Sequence, residues 1–135
     1  MLKDFNISKF KKMKPPSDNT FDAMQEIKAL KKIPLNKKFV KDYDNIEAAF
    51  AKTAKEQDVD YDKKIAGKLI TASAPIILKL KKHFDRPRPK ELAKKMNIKI
   101  KDIEMDSMKT ASYPSGHTAQ GILIAKVLGD KYPKA

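Results

Sequence analysis

Two short stretches of this 135-residue sequence hold the residue types that grip an anion and move a proton to it. The first is Lys81-Lys82-His83-Phe84-Asp85-Arg86-Pro87-Arg88-Pro89. A guanidinium fork holds two oxygens of a phosphoryl group, and an ammonium adds a compact point charge. Lys81 and Arg88 have the types and the separation for that pairing. In a chain so rich in lysine, the same spacing also fits plain surface charge that ends in a proline-rich helix stop.

The second stretch is Tyr113-Pro114-Ser115-Gly116-His117, which opens an apolar segment. Amides at a helix start have no helical partner, so they form a cradle for an anion. Ser115 adds a hydroxyl donor, and Gly116 lets an anion come close to the backbone. His117 falls in the first turn, beside that anion. There an imidazole can protonate a leaving oxygen near neutral or mildly acidic pH. Gly121, one turn on, leaves space beside the ring. Ser115 as an ordinary N-cap and His117 as a packed or exposed helix residue fit the tetrapeptide equally well.

Helices must position these groups. Residues 18–33 carry Phe21, Met24, Ile27 and Leu30 on one stripe, with Pro34 as the stop. Residues 36–57 form a second expected helix, capped by Asn36 and striped by Phe39, Tyr43, Ile46 and Phe50. A third runs from about Asp62 to Phe84, with Ile65, Leu69, Ala72, Ile76, Leu80 and Phe84 on one face. Pro75 should kink that helix or divide it in two. Lys81 then sits in its last turn and Arg88 just beyond its end. Pro89 can open a short helix through Met96. Residues 97–113 read as a connecting loop, and a last helix runs from about Ser115 to Asp130. Residues 1–16 read as a basic arm ending at Pro15-Pro16, ahead of a single domain over 17–135.

Taken in order, the two motifs resemble the signature of the phosphatidic acid phosphatase type 2/haloperoxidase superfamily. The likeness is greatest to the bacterial class A non-specific acid phosphatases. That signature reads Lys, six residues, Arg-Pro; then Pro-Ser-Gly-His; then Ser-Arg, five residues, His, three residues, Asp. Lys81, Arg88-Pro89 and Pro114-Ser115-Gly116-His117 match the first two blocks. The double Arg-Pro of Arg86 to Pro89 adds to the likeness, which covers roughly residues 15 to 135. It implies an all-α helical bundle of the acid phosphatase/vanadium haloperoxidase type. It implies that Lys81, Arg88, Ser115 and Gly116 bind the phosphoryl oxygens and that His117 is the general acid. It implies hydrolysis of phosphate monoesters through a phosphohistidine. No metal is implied, and phosphate or vanadate can fill the oxyanion cage.

The sequence departs from this pattern after His117. Thr118 to Ala135 contain no Ser-Arg pair and no histidine. His83, the other histidine, lies where the pattern admits any residue, and reads as non-catalytic. The chain is therefore expected to be truncated, with a bundle incomplete at its C-terminus. The competing expectation is an inactive fragment, or a basic module that only binds phosphate-bearing partners. A bundle short of core helices should expose apolar surface and associate with its own copies.

Composition limits the alternatives. Hydrophobic residues at 41% suffice for one core, and 35% charged residues suit a soluble surface. Few glycines and many Lys, Ala, Leu and Ile favour helices. The formal net charge of +13 draws anions in general. The lysines are scattered, with no interleaved aromatics, so specific nucleic-acid binding is not expected. The absence of cysteine excludes disulfides and thiol chemistry. No signal peptide and no membrane span are visible, although soluble members of the resembled family are typically periplasmic.

In-line attack on phosphorus needs a nucleophile opposite the leaving oxygen, and His117 cannot occupy both sides. These 135 residues alone are therefore expected to show no family-typical turnover of a chromogenic phosphomonoester between about pH 5 and 7, where histidine titrates. Robust turnover that His117→Ala abolishes would contradict this.

Overall fold

Polar caps set most of the helix starts. Residues 2–132 are described by a computed structural model, and among them the regular structure is all helical. The helices are α1 (Ile7–Phe10), α2 (Phe21–Lys31), α3 (Lys37–Tyr43), α4 (Ile46–Glu56), α5 (Lys63–Phe84), α6 (Pro89–Lys95) and α7 (Gly116–Lys131). A single 3₁₀ turn spans Asp106–Lys109 within the α6–α7 connection. Asn6, Thr20, Asn36, Asn45, Asp62 and Ser115 each accept a backbone N–H three residues on. Each such bond satisfies one of the donors that a helix start leaves orphaned. Pro89 opens α6 instead, at a position whose missing N–H has no helical partner to lose.

Two small cores hold the helices together. In the first, Ala23 and Ile27 of α2 meet Leu92 and Ala93 of α6, with Met96, Ile98 and Ile100 packed against them. In the second, Ala66 and Leu69 of α5 meet Ile124 of α7, with Ile46 and Phe50 of α4 alongside. The α5–α7 pairing is the most extensive in the fold. Gly121 serves it from the side: a Cβ there would stand 3.8 Å from Ile46 Cδ1. The room expected beside the imidazole is thus taken up by α4. The Asp62 carboxylate also accepts from Lys131 Nζ at 2.7 Å, tying the start of α5 to the end of α7. Those bonds hold Asp62 below the usual carboxylate range, Lys131 being the larger cause. No helix among the described residues is long and apolar enough to cross a membrane.

Three local expectations are corrected. The helix expected over 36–57 is two helices, α3 and α4, because Asn45 caps the second by accepting from Ala48 N at 2.9 Å. Pro75 does not divide α5, which runs unbroken from Lys63 to Phe84. Pro75 lies on the exposed side, and so does Thr71, whose carbonyl loses its donor there. The buried face of α5 is also rotated from the expected stripe, falling on Ala66, Leu69, Ser73, Ile77 and Leu80. The basic lead-in carries the helical turn α1, which packs on α5, and Met13 O accepts from the Tyr113 hydroxyl at 2.8 Å. The reading of Pro133, Lys134 and Ala135 as an unfinished end lies outside the described residues.

Ile124 is fully buried, whereas Ile122, two residues earlier on the same helix, is 66% exposed. Ile124→Ala should cost about 2–5 kcal/mol in urea unfolding, and Ile122→Ala less than about 0.5 kcal/mol. Equal costs would contradict the α5–α7 core.

Candidate functional site

Lys81 lies in the last turn of α5 and is only 6% exposed. An ammonium taken out of water needs oxygen partners. The main-chain carbonyl of Ala111 supplies one, reached from a loop thirty residues away in sequence. Burial pushes the Lys81 pKa below the ordinary lysine value, and the neighbouring Arg88 charge adds to that.

The turn after α5 brings Arg88 to the same place. Asp85 ends the helix in the left-handed conformation, φ 45°, and its amide donates to Lys81 O at 2.8 Å. Asp tolerates this region better than most residues. Arg88 is extended, as a residue before proline must be. Its side chain folds back, donating from Nε to Thr110 O at 2.8 Å and from Nη2 to Ser107 O at 2.9 Å. Burial lowers its pKa from the usual guanidinium value. Both cations keep donors beyond these bonds. Ser112 fastens the loop from the other side, donating from its amide to Arg86 O at 3.0 Å and from Oγ to Pro87 O at 2.8 Å.

The start of α7 completes the arrangement. Ser115 Oγ accepts from Thr118 N at 3.2 Å, so its own proton stays available to a ligand. The Gly116 and His117 amides fall in the first turn, where no helical acceptor exists. A Cβ on Gly116 would meet Ile77 Cγ2 at 3.7 Å and Lys81 Cε at 4.0 Å, so the glycine lets the helix start close on the lysine stem. Beneath, Gln120 Nε2 donates to Ser73 Oγ at 3.3 Å and clamps α7 to α5.

Lys81, Arg88, Ser115, Gly116 and His117 all line one cavity of about 550 Å³. The five residues expected from sequence thus come together, from three separate segments. The other members of those motifs point elsewhere. Arg86 Nη2 donates to Glu26 at 2.6 Å, on the α2 side. His83 packs edge-on against Phe84, at 4.9 Å between ring centres, and lines a different cavity with Lys14 and Pro15.

Asp44, not expected from sequence, is also in this cavity. His117 Nε2 is hydrogen-bonded to the Asp44 main-chain carbonyl and lies 3.6 Å from its carboxylate Oδ1. A carbonyl only accepts, so Nε2 carries the proton in this arrangement. Ser107 Oγ donates to the same carboxylate at 2.9 Å. A signal for Asp44 was present in Asn45, whose capping role forces a corner there. The carbonyls of Ser107, Thr110 and Ala111 had no signal, since any residue type offers the same oxygen. Chemically, the cavity offers the buried Lys81 and half-buried Arg88 cations, a hydroxyl, helix-start amides and an imidazole N–H, a set suited to a tetrahedral oxyanion.

The lowered pKa of Lys81 has a defined pH signature. A base whose folded pKa lies below its unfolded value makes the folded state gain stability as pH rises through the folded pKa, up to the ordinary lysine value. The stability of wild type relative to Lys81→Met, measured by urea unfolding, should therefore climb over that alkaline window. A flat difference would mean that the ammonium is not buried.

No family model matches the chain, and no curated protein or solved structure matches it.

Proposed function

We propose that the chain binds the phosphoryl group of phosphate monoesters and has the fold of the acid phosphatase/vanadium haloperoxidase type. Lys81 and Arg88 hold the phosphoryl oxygens together with Ser115 Oγ and the Gly116 amide. His117 gives its Nε2 proton to the leaving oxygen after releasing the Asp44 carbonyl. The observation that carries this reading is the single cavity shared by the five residues. In enzymes of that type, a second histidine attacks phosphorus as the leaving oxygen departs, and water then hydrolyses the phosphohistidine.

A second reading, binding without turnover, is favoured by one observation. His83 and His117 are the two histidines of the sequence, and His83 lines a different cavity. On that reading the cavity holds phosphate-bearing partners without turning them over.

Calorimetry with phosphate, vanadate and tungstate tests the shared site. Removing one charge-assisted contact costs on the order of 1.5–3 kcal/mol, or roughly tenfold to a hundredfold in affinity. Arg88→Ala and Lys81→Met should each show that loss, with helical circular dichroism retained. Equal affinity in wild type and both variants, fading with salt, would overturn the proposal in favour of general attraction to the +13 chain.

A further inference from the structure

The cavity has a second half that the phosphoryl group does not use. Phe39 and Tyr43, one turn apart on α3, line it together with Leu78, Met105 and Met108. The Phe39 and Tyr43 rings stand 4.8 Å apart between centres, tilted by 35°. Phe39 is 59% exposed and Leu78 51%, and neither belongs to either buried core. Large apolar side chains left open inside a pocket, rather than scattered singly over a surface, mark a place for an apolar ligand group.

We propose that this wall receives the organic part of the substrate, and that the substrate class is an aryl phosphate monoester. The inference rests on the phosphoryl reading of the cationic end. With the phosphate held between Arg88 and the start of α7, the ester oxygen points away from the cage and the attached group enters the same cavity. That group meets two aromatic rings and two thioethers. Rings prefer tilted or offset partners, and methionine sulfur packs favourably at ring edges. A sugar or glycerol would need hydroxyl partners instead. Two of the neighbouring polar side chains are already engaged: Ser107 donates to Asp44, and Gln120 donates to Ser73. An aromatic leaving group therefore exchanges water for apolar contact without stranding a polar atom.

Calorimetry of the full chain with inorganic phosphate, ethyl phosphate, glycerol phosphate and phenyl phosphate separates the two levels. Partial burial of a ring corresponds to roughly a tenfold gain in affinity. Phenyl phosphate should bind about tenfold more tightly than the other three, in line with that estimate. Phe39→Ala should erase this advantage and leave inorganic phosphate binding unchanged. Leu78→Ser, a second substitution at an exposed position, should reduce the advantage in the same direction. If inorganic phosphate binds at the site and phenyl phosphate binds no tighter than ethyl phosphate, the aryl inference is overturned and the phosphoryl reading stands. An advantage that persists in both variants also overturns it. If inorganic phosphate itself fails to bind, both fall together.

Discussion

The buried ammonium of Lys81 is the constraint on which the site depends. Apolar packing brings α7 against α5 through Ala66, Leu69 and Ile124. That packing sets the start of α7 against the end of α5, where Lys81 is buried and Lys82 stays exposed. Desolvating a charge is costly unless oxygen replaces water. The Ala111 carbonyl does so, and in reaching Lys81 it draws the stretch from Ser107 to Ser112 across the end of α5. The same stretch then offers Arg88 two carbonyls and fastens itself to Arg86 and Pro87 through Ser112. A connection almost without regular structure is thus held by hydrogen bonds to the end of α5, the turn after it and the α3–α4 corner.

The second organising element is the corner between α3 and α4. Asn45 caps α4 and thereby turns the chain at Asp44. The turn aims the Asp44 carbonyl at His117 and leaves its carboxylate to Ser107. It also separates the roles of the two helices. Ile46 and Phe50 of α4 pack against the α5–α7 core, while Phe39 and Tyr43 of α3 face the cavity. Had one straight helix run through 36–57, its apolar stripe would have packed as a unit and left no wall beside the cations.

Much of this was legible in the sequence, and the reasons are local. Caps such as Asn36, Asp62 and Ser115 act within a single turn, so the starts of α3, α5 and α7 could be read from neighbouring residues. Pro89 and Asp85 likewise bracket the stop after α5. The convergence of Lys81, Arg88, Ser115, Gly116 and His117 followed from motif order rather than from any local force. What escaped depends on contacts across the chain. Pro75 sits harmlessly in α5 because it faces outward, and that orientation was fixed by α7. The stripe drawn through Ile65, Ala72 and Ile76 differed from the face actually buried, since α5 is apolar on more than one side. Phe21 and Leu30 continue the stripe of Ile27 but stay exposed, because the partner α6 is only seven residues long.

The carbonyls of Ser107, Thr110 and Ala111 have one more consequence. They already occupy part of the donor capacity of both cations, so the cage is internally compensated before any guest arrives. A guest therefore meets only the donors that the carbonyls leave over. The loop thus keeps two like charges as neighbours at the end of α5, each partly neutralised by peptide dipoles and each with N–H groups to spare.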